Sequence, residues 1–184
     1  MIKDKVKLIL KEVSLSLEGV KDEEIKGLIR EVLKSKKIVG CGAGRVGMSA
    51  RALMMRLSHL GFQAFFLGDS NVPRVGKGDL LFVSSGSGET ETIFQLAKRA
   101  KKNGVRIGLV TANRNSRIGR LADVRVLIKA PTKVKNKSQV KSVQPMTSLI
   151  EQAFFILYDA IVLELMRVTD QQNRDLLKRH SILE

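Results

Sequence analysis

The sequence predicts an α/β protein in which a parallel sheet is covered by helices on both faces. Three observations predict it. Short apolar runs alternate with stretches whose apolar residues recur at helical spacing, the pattern of repeated βα units. Two strand ends run into glycine-rich turns that open helices: Ile38-Val39-Gly40-Cys41-Gly42-Ala43-Gly44-Arg45 and Phe82-Val83-Ser84-Ser85-Gly86-Ser87-Gly88-Glu89. The 184 residues are 43% hydrophobic but only 4% aromatic, enough for one domain with a sizeable, aliphatic core.

The elements follow in order. Ile2, Val6, Ile9, Leu10, Val13 and Leu17 share a helical period that Gly19 ends, and Asp22–Ser35 forms a second helix with Ile25, Leu28, Ile29 and Val32 on one face. Lys37–Cys41 is a short buried strand, Val46–Leu60 a helix closed by Gly61, and Phe62–Leu67 a strand. Asp79–Ser84 is a strand, Thr90–Lys102 a helix ended by Asn103-Gly104, and Val105–Thr111 a strand. Ser116–Leu121 is a short helix and Val124–Ile128 the last strand. Ala130–Val143 is polar and Lys-rich, a loop expected beside the site. Pro145 takes the first position of a helix running from Met146 to Val168. That helix is apolar almost all round and must be buried on more than one side, with a second subunit as the natural cover. A polar tail follows. No domain boundary is visible, so 1–184 reads as one domain: N-terminal helices 1–35, a core 37–168 and a tail 170–184.

Charge and cysteine usage narrow the function classes. A net charge of +15 implies an anionic partner, nucleic acid or phosphorylated metabolites, or simply a well-solvated surface. No nucleic-acid motif accompanies it, and scarce aromatics argue against base stacking. One cysteine, Cys41, rules out an internal disulfide framework and a cysteine-rich zinc site, and fits a reducing compartment. The basic N-terminus is interrupted by charges and makes no signal peptide, so a cytoplasmic protein without a membrane segment is expected.

The first glycine turn meets G-x-G-x-x-G at Gly42, Gly44 and Gly47, with Asp69 near the distance of a ribose-binding carboxylate. Arg45 inside the turn is foreign to a dinucleotide motif; tight strand–helix packing explains the glycines equally well. The second turn is more informative. Gly86 and Gly88 let an anion approach the backbone, while Ser85, Ser87 and Thr90 offer hydroxyls. The helix opening near Thr90 adds amide groups and the positive end of its dipole, which suits a phosphate monoester. No Walker lysine follows. A serine helix cap is the plainer alternative. If the first and third strands are neighbours, both turns border one crevice, with the phosphate on one and Arg45 reaching it or the sugar from the other.

Several segments together resemble the 6-phospho-3-hexuloisomerase family of the sugar isomerase (SIS) domain superfamily. They are Gly42-x-Gly44-Arg45, Met55-Arg56-Leu57-x-His59-Leu60-Gly61, Ser85-Gly86-Ser87-Gly88-Glu89-Thr90, Gln144-Pro145-Met146, Ser148-Leu149-x-Glu151-Gln152 and Arg179-His180-x-x-Leu183-Glu184. The likeness runs from about residue 37 to the C-terminus. It implies a three-layer αβα sandwich with a five-stranded parallel sheet in the order 2-1-3-4-5, a tetramer and no metal or other cofactor. It also implies interconversion of D-arabino-hex-3-ulose 6-phosphate and D-fructose 6-phosphate in the ribulose monophosphate pathway of formaldehyde fixation. The substrate would lie on Gly44, Arg45 and the run Ser85, Gly86, Ser87, Gly88, Glu89 and Thr90, with Glu151 as base. Three positions depart from the family pattern: Val46 and Val72 replace hydroxyl residues and Thr147 replaces a glycine.

The chemistry agrees with that implication. Moving a carbonyl between neighbouring carbons needs one base to carry a proton through a cis-enediol and a group to move a proton between oxygens; no redox cofactor is required. Glu151 sits among Leu149, Ile150, Phe154 and Phe155, in the second turn of the late helix on this reading. His180, in a tail with no core duty, carries an imidazole, the side chain best suited to proton transfer, and is a candidate to open the ring or relay protons, reaching a neighbouring subunit's site. His59, between Leu57 and Leu60, reads as a packing residue, and Cys41 as packing rather than nucleophile. Alternatives remain: a non-catalytic phosphosugar sensor, an isomerase of another phosphosugar such as arabinose 5-phosphate, or a nucleic-acid binder.

Overall fold

The computed structural model of the chain describes residues 1–134 and 140–183. Residues 135–139 of the Lys-rich loop and Glu184 of the terminal motif lie outside the described residues. Five strands form one sheet: β1 (Ile38–Gly42), β2 (Ala64–Phe66), β3 (Leu80–Ser84), β4 (Arg106–Thr111) and β5 (Val124–Leu127). All neighbours are parallel and the order is β2-β1-β3-β4-β5. Such a sheet needs covering on both faces, and its strands are correspondingly apolar: every residue of β3 is buried.

Two core clusters lie on the two faces. Helices α1 (Ile2–Leu17), α2 (Asp22–Lys34), α3 (Gly44–His59) and α6 (Ser148–Val168) supply one, through residues such as Val13, Leu28, Leu53, Leu57, Phe154 and Leu165. Helices α4 (Glu91–Lys102) and α5 (Arg117–Leu121) cover the other, with Ile93, Ala97 and Ile118 against Val39, Cys41, Leu81 and Val83. Among the described residues no helix is long and apolar enough to cross a membrane.

Two elements differ from expectation. The late helix starts at Ser148, not Met146. Met146 adopts φ 56°, a left-handed conformation that no helix continues through, so Thr147 is the N-cap and Pro145 lies outside the helix. The tail contains a further short helix, α7 (Asn173–Leu177), because Leu176 buries itself in the core and Asp175 accepts a hydrogen bond from the Gln172 amide at 3.0 Å. Helix α6 packs one side on α1 and α3, while Phe155, Ile156 and Leu163 stand 40%, 52% and 67% exposed. Within one chain its second side is therefore open.

Candidate active site

Strand order reverses between β1 and β3, which pair with Gly42 opposite Ser84. Both glycine-rich turns therefore leave the sheet side by side, at the point where open α/β sheets bind ligands. They border a cavity of about 300 Å³. Ala43, Gly44, Arg45 and Val46 line it from the first turn, and Ser84, Ser85, Gly86, Ser87 and Thr90 from the second. The start of α6 adds Thr147, Ile150 and Glu151, and the Lys-rich loop adds Thr132 and Lys133.

The serine turn is held by its own hydrogen bonds. The Ser85 amide donates to the Val110 carbonyl at 3.1 Å, and Ser85 Oγ accepts from the Gly88 amide at 3.1 Å. Ser87 Oγ accepts from the Glu89 amide at 3.2 Å. The Gly86 carbonyl accepts from the Ala112 amide and the Thr111 hydroxyl. Gly86 faces Ile150 so closely that a Cβ there would stand 3.1 Å from its Cδ1. Thr90 caps α4 without a side-chain cap bond, and the opening amides of that helix have no carbonyl one turn back. Hydroxyls and opening helix amides in this arrangement can hold a compact anion.

Two members of the predicted phosphate site face elsewhere. Gly88 takes φ 64°, and a side chain there would collide with Ser116. Its role is close packing between the turn and the start of α5. Glu89 is claimed by Arg117: its carboxylate accepts from the Arg117 amide at 2.9 Å and from Nε at 2.8 Å, and its carbonyl accepts a further guanidinium bond. Burial pushes the Glu89 carboxyl up, but the Arg117 contacts outweigh it and hold it below the usual range. Glu89 thus joins the turn to α5 and turns away from the cavity.

In the first turn, Gly42 and Gly47 serve packing. A Cβ on Gly47 would meet the Gly42 carbonyl oxygen at 2.6 Å. Gly44 takes φ 57° with nothing crowding it, so its glycine answers a backbone requirement. Asp69, the potential ribose partner, is paired with Arg51 at 2.5 Å. Arg45 turns toward α6, where its guanidinium lies 3.0 Å from Glu151 Oε2 and 3.3 Å from Ser148 Oγ.

Glu151 sits in the first turn of α6, one turn earlier than the sequence suggests, because the helix starts late. Its side chain is 13% exposed, and Oε1 accepts a hydrogen bond from Thr147 Oγ1 at 2.8 Å. Below it, Ser84 Oγ and the Tyr158 hydroxyl share a buried hydrogen bond linking the end of β3 to α6. Burial raises the Tyr158 phenol far above its ordinary value, so it stays protonated. Burial likewise pushes the Cys41 thiol up to about 12, which makes it inert packing.

His180 is not brought to this cavity within the chain. It lies on His59, ring centroids 5.2 Å apart, in a second depression with Arg56, Val162 and Met166. The lining residues that sequence reading did not name as site residues are Ala43, Val46, Ser84, Thr132, Lys133, Thr147 and Ile150, although it did expect the loop that carries Thr132 and Lys133 beside the site. Thr147 carried a signal, a cap-type residue immediately before a strong helical run. Thr132 and Lys133 carried only composition.

A model of the SIS domain family matches residues 31–156. The chain is 35% identical to a 3-hexulose-6-phosphate isomerase of Bacillus subtilis (strain 168), covering 96% of this chain and 95% of that protein. It is 36% identical to one of Mycobacterium gastri, covering 100% and 92%. It is similar in structure to a hypothetical protein of Methanococcus jannaschii for which a function as 3-hexulose-6-phosphate isomerase has been inferred. The TM-score is 0.84 and the identity 28%, over 98% of this chain and 99% of that one.

Proposed function

The chain belongs to the SIS domain family, and within it to the family of the 3-hexulose-6-phosphate isomerases; on that premise we propose that it interconverts D-arabino-hex-3-ulose 6-phosphate and D-fructose 6-phosphate. The observation that carries the proposal is the single cavity lined by both the serine turn and Glu151. An anion cradle and a largely buried carboxylate within one small cavity are what an enediol isomerisation of a phosphosugar requires.

In the proposed reaction the phosphate dianion lies on Ser85, Gly86, Ser87 and Thr90, against the N-terminus of α4. Lys133 and Arg45 add positive charge at the cavity. Glu151 takes the proton from C2 of the 3-ulose, the C–H electron pair becomes the C2–C3 double bond of the enediol, and the C3 carbonyl oxygen gains a proton. Return of the proton to C3 and loss of the O2 proton leave the carbonyl at C2. Atoms and electrons balance without a redox partner. The proton that moves between oxygens is assigned to His180 of a second copy of the chain. This reading is supported by the exposed apolar side of α6 and by the placement of His180 in a separate depression rather than among the residues lining its own chain's cavity. A homo-oligomer, with the tetramer as its expected form, is part of the proposal.

The test is an assay of the purified chain with fructose 6-phosphate, reporting hexulose phosphate through hexulose phosphate synthase. Turnover that saturates with substrate is expected. A folded protein that gives none at saturating substrate refutes the activity.

A further inference from the structure

The N-cap of α6 does something unusual. A threonine at that position ordinarily accepts a hydrogen bond from an amide in the first turn. Thr147 makes no such cap bond; its hydroxyl donates instead to Oε1 of Glu151, at 2.8 Å. The left-handed Met146 just before it sets the turn that brings Thr147 to the cavity, and both Thr147 and Glu151 line that cavity. The other oxygen, Oε2, is held by Arg45 at 3.0 Å.

The two contacts are unlike in kind. Thr147 is fixed in the backbone four residues before Glu151, on a helix that is packed into the core. Arg45 is 58% exposed and stands at the end of a long side chain on another element, so its ion pair is screened and readily exchanged. A carboxylate that removes a carbon-bound proton needs one oxygen with a lone pair to give and a fixed orientation for it.

Resting on the isomerase reading, we propose that Thr147 is a positioning residue for the base: it fastens Oε1 of Glu151 so that Oε2 carries the substrate's proton, while Arg45 covers Oε2 until an anionic substrate draws the guanidinium away. Thr147 touches the carboxylate and takes no proton itself.

The test uses the full chain with Thr147→Val, which keeps the shape and removes the hydroxyl, and Thr147→Ser, which restores it. For Thr147→Val the expected result is a fall in kcat on the order of ten- to a hundredfold with KM within about twofold of the parent. Thr147→Ser should regain most of the rate. A raised KM with intact kcat would mean that Thr147 binds substrate, and equal losses in both variants with a lowered melting temperature would mean a structural role; either overturns the proposal. A second readout needs no turnover. The carboxylate stretching band of Glu151, isolated by subtracting the infrared spectrum of Glu151→Gln, should shift in Thr147→Val and return in Thr147→Ser. An unmoved band overturns the proposal, whereas a parent enzyme with a shifting band and no isomerisation fails the isomerase reading alone.

Discussion

Glu151 and Glu89 separate two ways a carboxylate can stand near the serine turn. Glu151 keeps its carboxylate at the cavity under Thr147 and Arg45, whereas both oxygens of Glu89 are taken by Arg117. Glu151→Gln retains shape and one acceptor oxygen but cannot take a proton. Its kcat should fall by about a hundred- to ten-thousandfold, while a titration with fructose 6-phosphate gives a near-parental Kd. A near-normal rate would remove Glu151 from the reaction. Lys133 carries a different prediction. It lines the cavity from an exposed loop, so it acts on the dianion through screened charge. Lys133→Ala should raise KM roughly three- to tenfold at low ionic strength, leave kcat nearly unchanged, and lose much of its effect in about 0.5 M salt. A salt-independent KM effect would indicate that Lys133 makes a buried contact instead.

At the scale of elements, the start of α6 is held in place by parts of the chain far away in sequence. Glu12 of α1 is nearly buried; its carboxylate accepts from the Ser142 hydroxyl at 2.6 Å, the Val143 amide at 3.0 Å and the Gln144 amide group at 2.9 Å. This fastens the segment that leads into Thr147 and Glu151. The Ser142 hydroxyl and then the Val143 amide hold the Glu12 carboxyl below its usual value, against the push of burial. A carboxyl lowered in the folded state stabilises fully above its unfolded value of about 4.3, and the contribution is lost as pH falls through the folded value. Glu12→Gln should therefore melt roughly 2–8 °C below the parent at pH 7, with the gap closing as the pH falls below the unfolded value of about 4.3 and through the lowered folded value. A gap that does not change with pH would show that the ionised form is not what matters. Such links were illegible in the sequence, because nothing local marks a contact between residue 12 and residues 142–144. What is local was legible. The strand and helix runs stand within about two residues of their expected bounds, since apolar periodicity and glycine stops are written in adjacent residues. The start of α6 was misplaced because Pro145 is a good first helical residue by type, and only the φ of Met146 reveals the turn. The pairing of Glu89 was equally hidden, because Arg117, its partner, lies 28 positions on.

At the scale of the molecule, the two histidines and the open apolar side of α6 bear on one question, whether a site is complete within one chain. Val162, which lines the depression holding His180, stands eleven residues after Glu151 on the same helix, about 16 Å along its axis. His180, seated in that depression against His59, is not among the residues that line the cavity of its own chain. Ile2, Val6 and Leu10 on α1, with Phe155, Ile156 and Leu163 on α6, leave apolar surface that a second copy would cover. If His180 serves a neighbour, Glu151→Gln and His180→Asn each inactivate a different half of a shared site. Mixing the two inactive proteins under conditions that exchange subunits should then restore activity, since about a quarter of the sites in an equal mixture would pair an intact Glu151 with an intact His180. The same quarter arises however many copies close the ring, because each site draws on one donor of each residue. If His180 acts within its own chain, each protomer carries one lesion or the other and mixing restores nothing. If His180 has no part in the reaction, His180→Asn is active before mixing. Subunit exchange followed by the coupled fructose 6-phosphate assay thus separates a site built between copies from one built within a single chain.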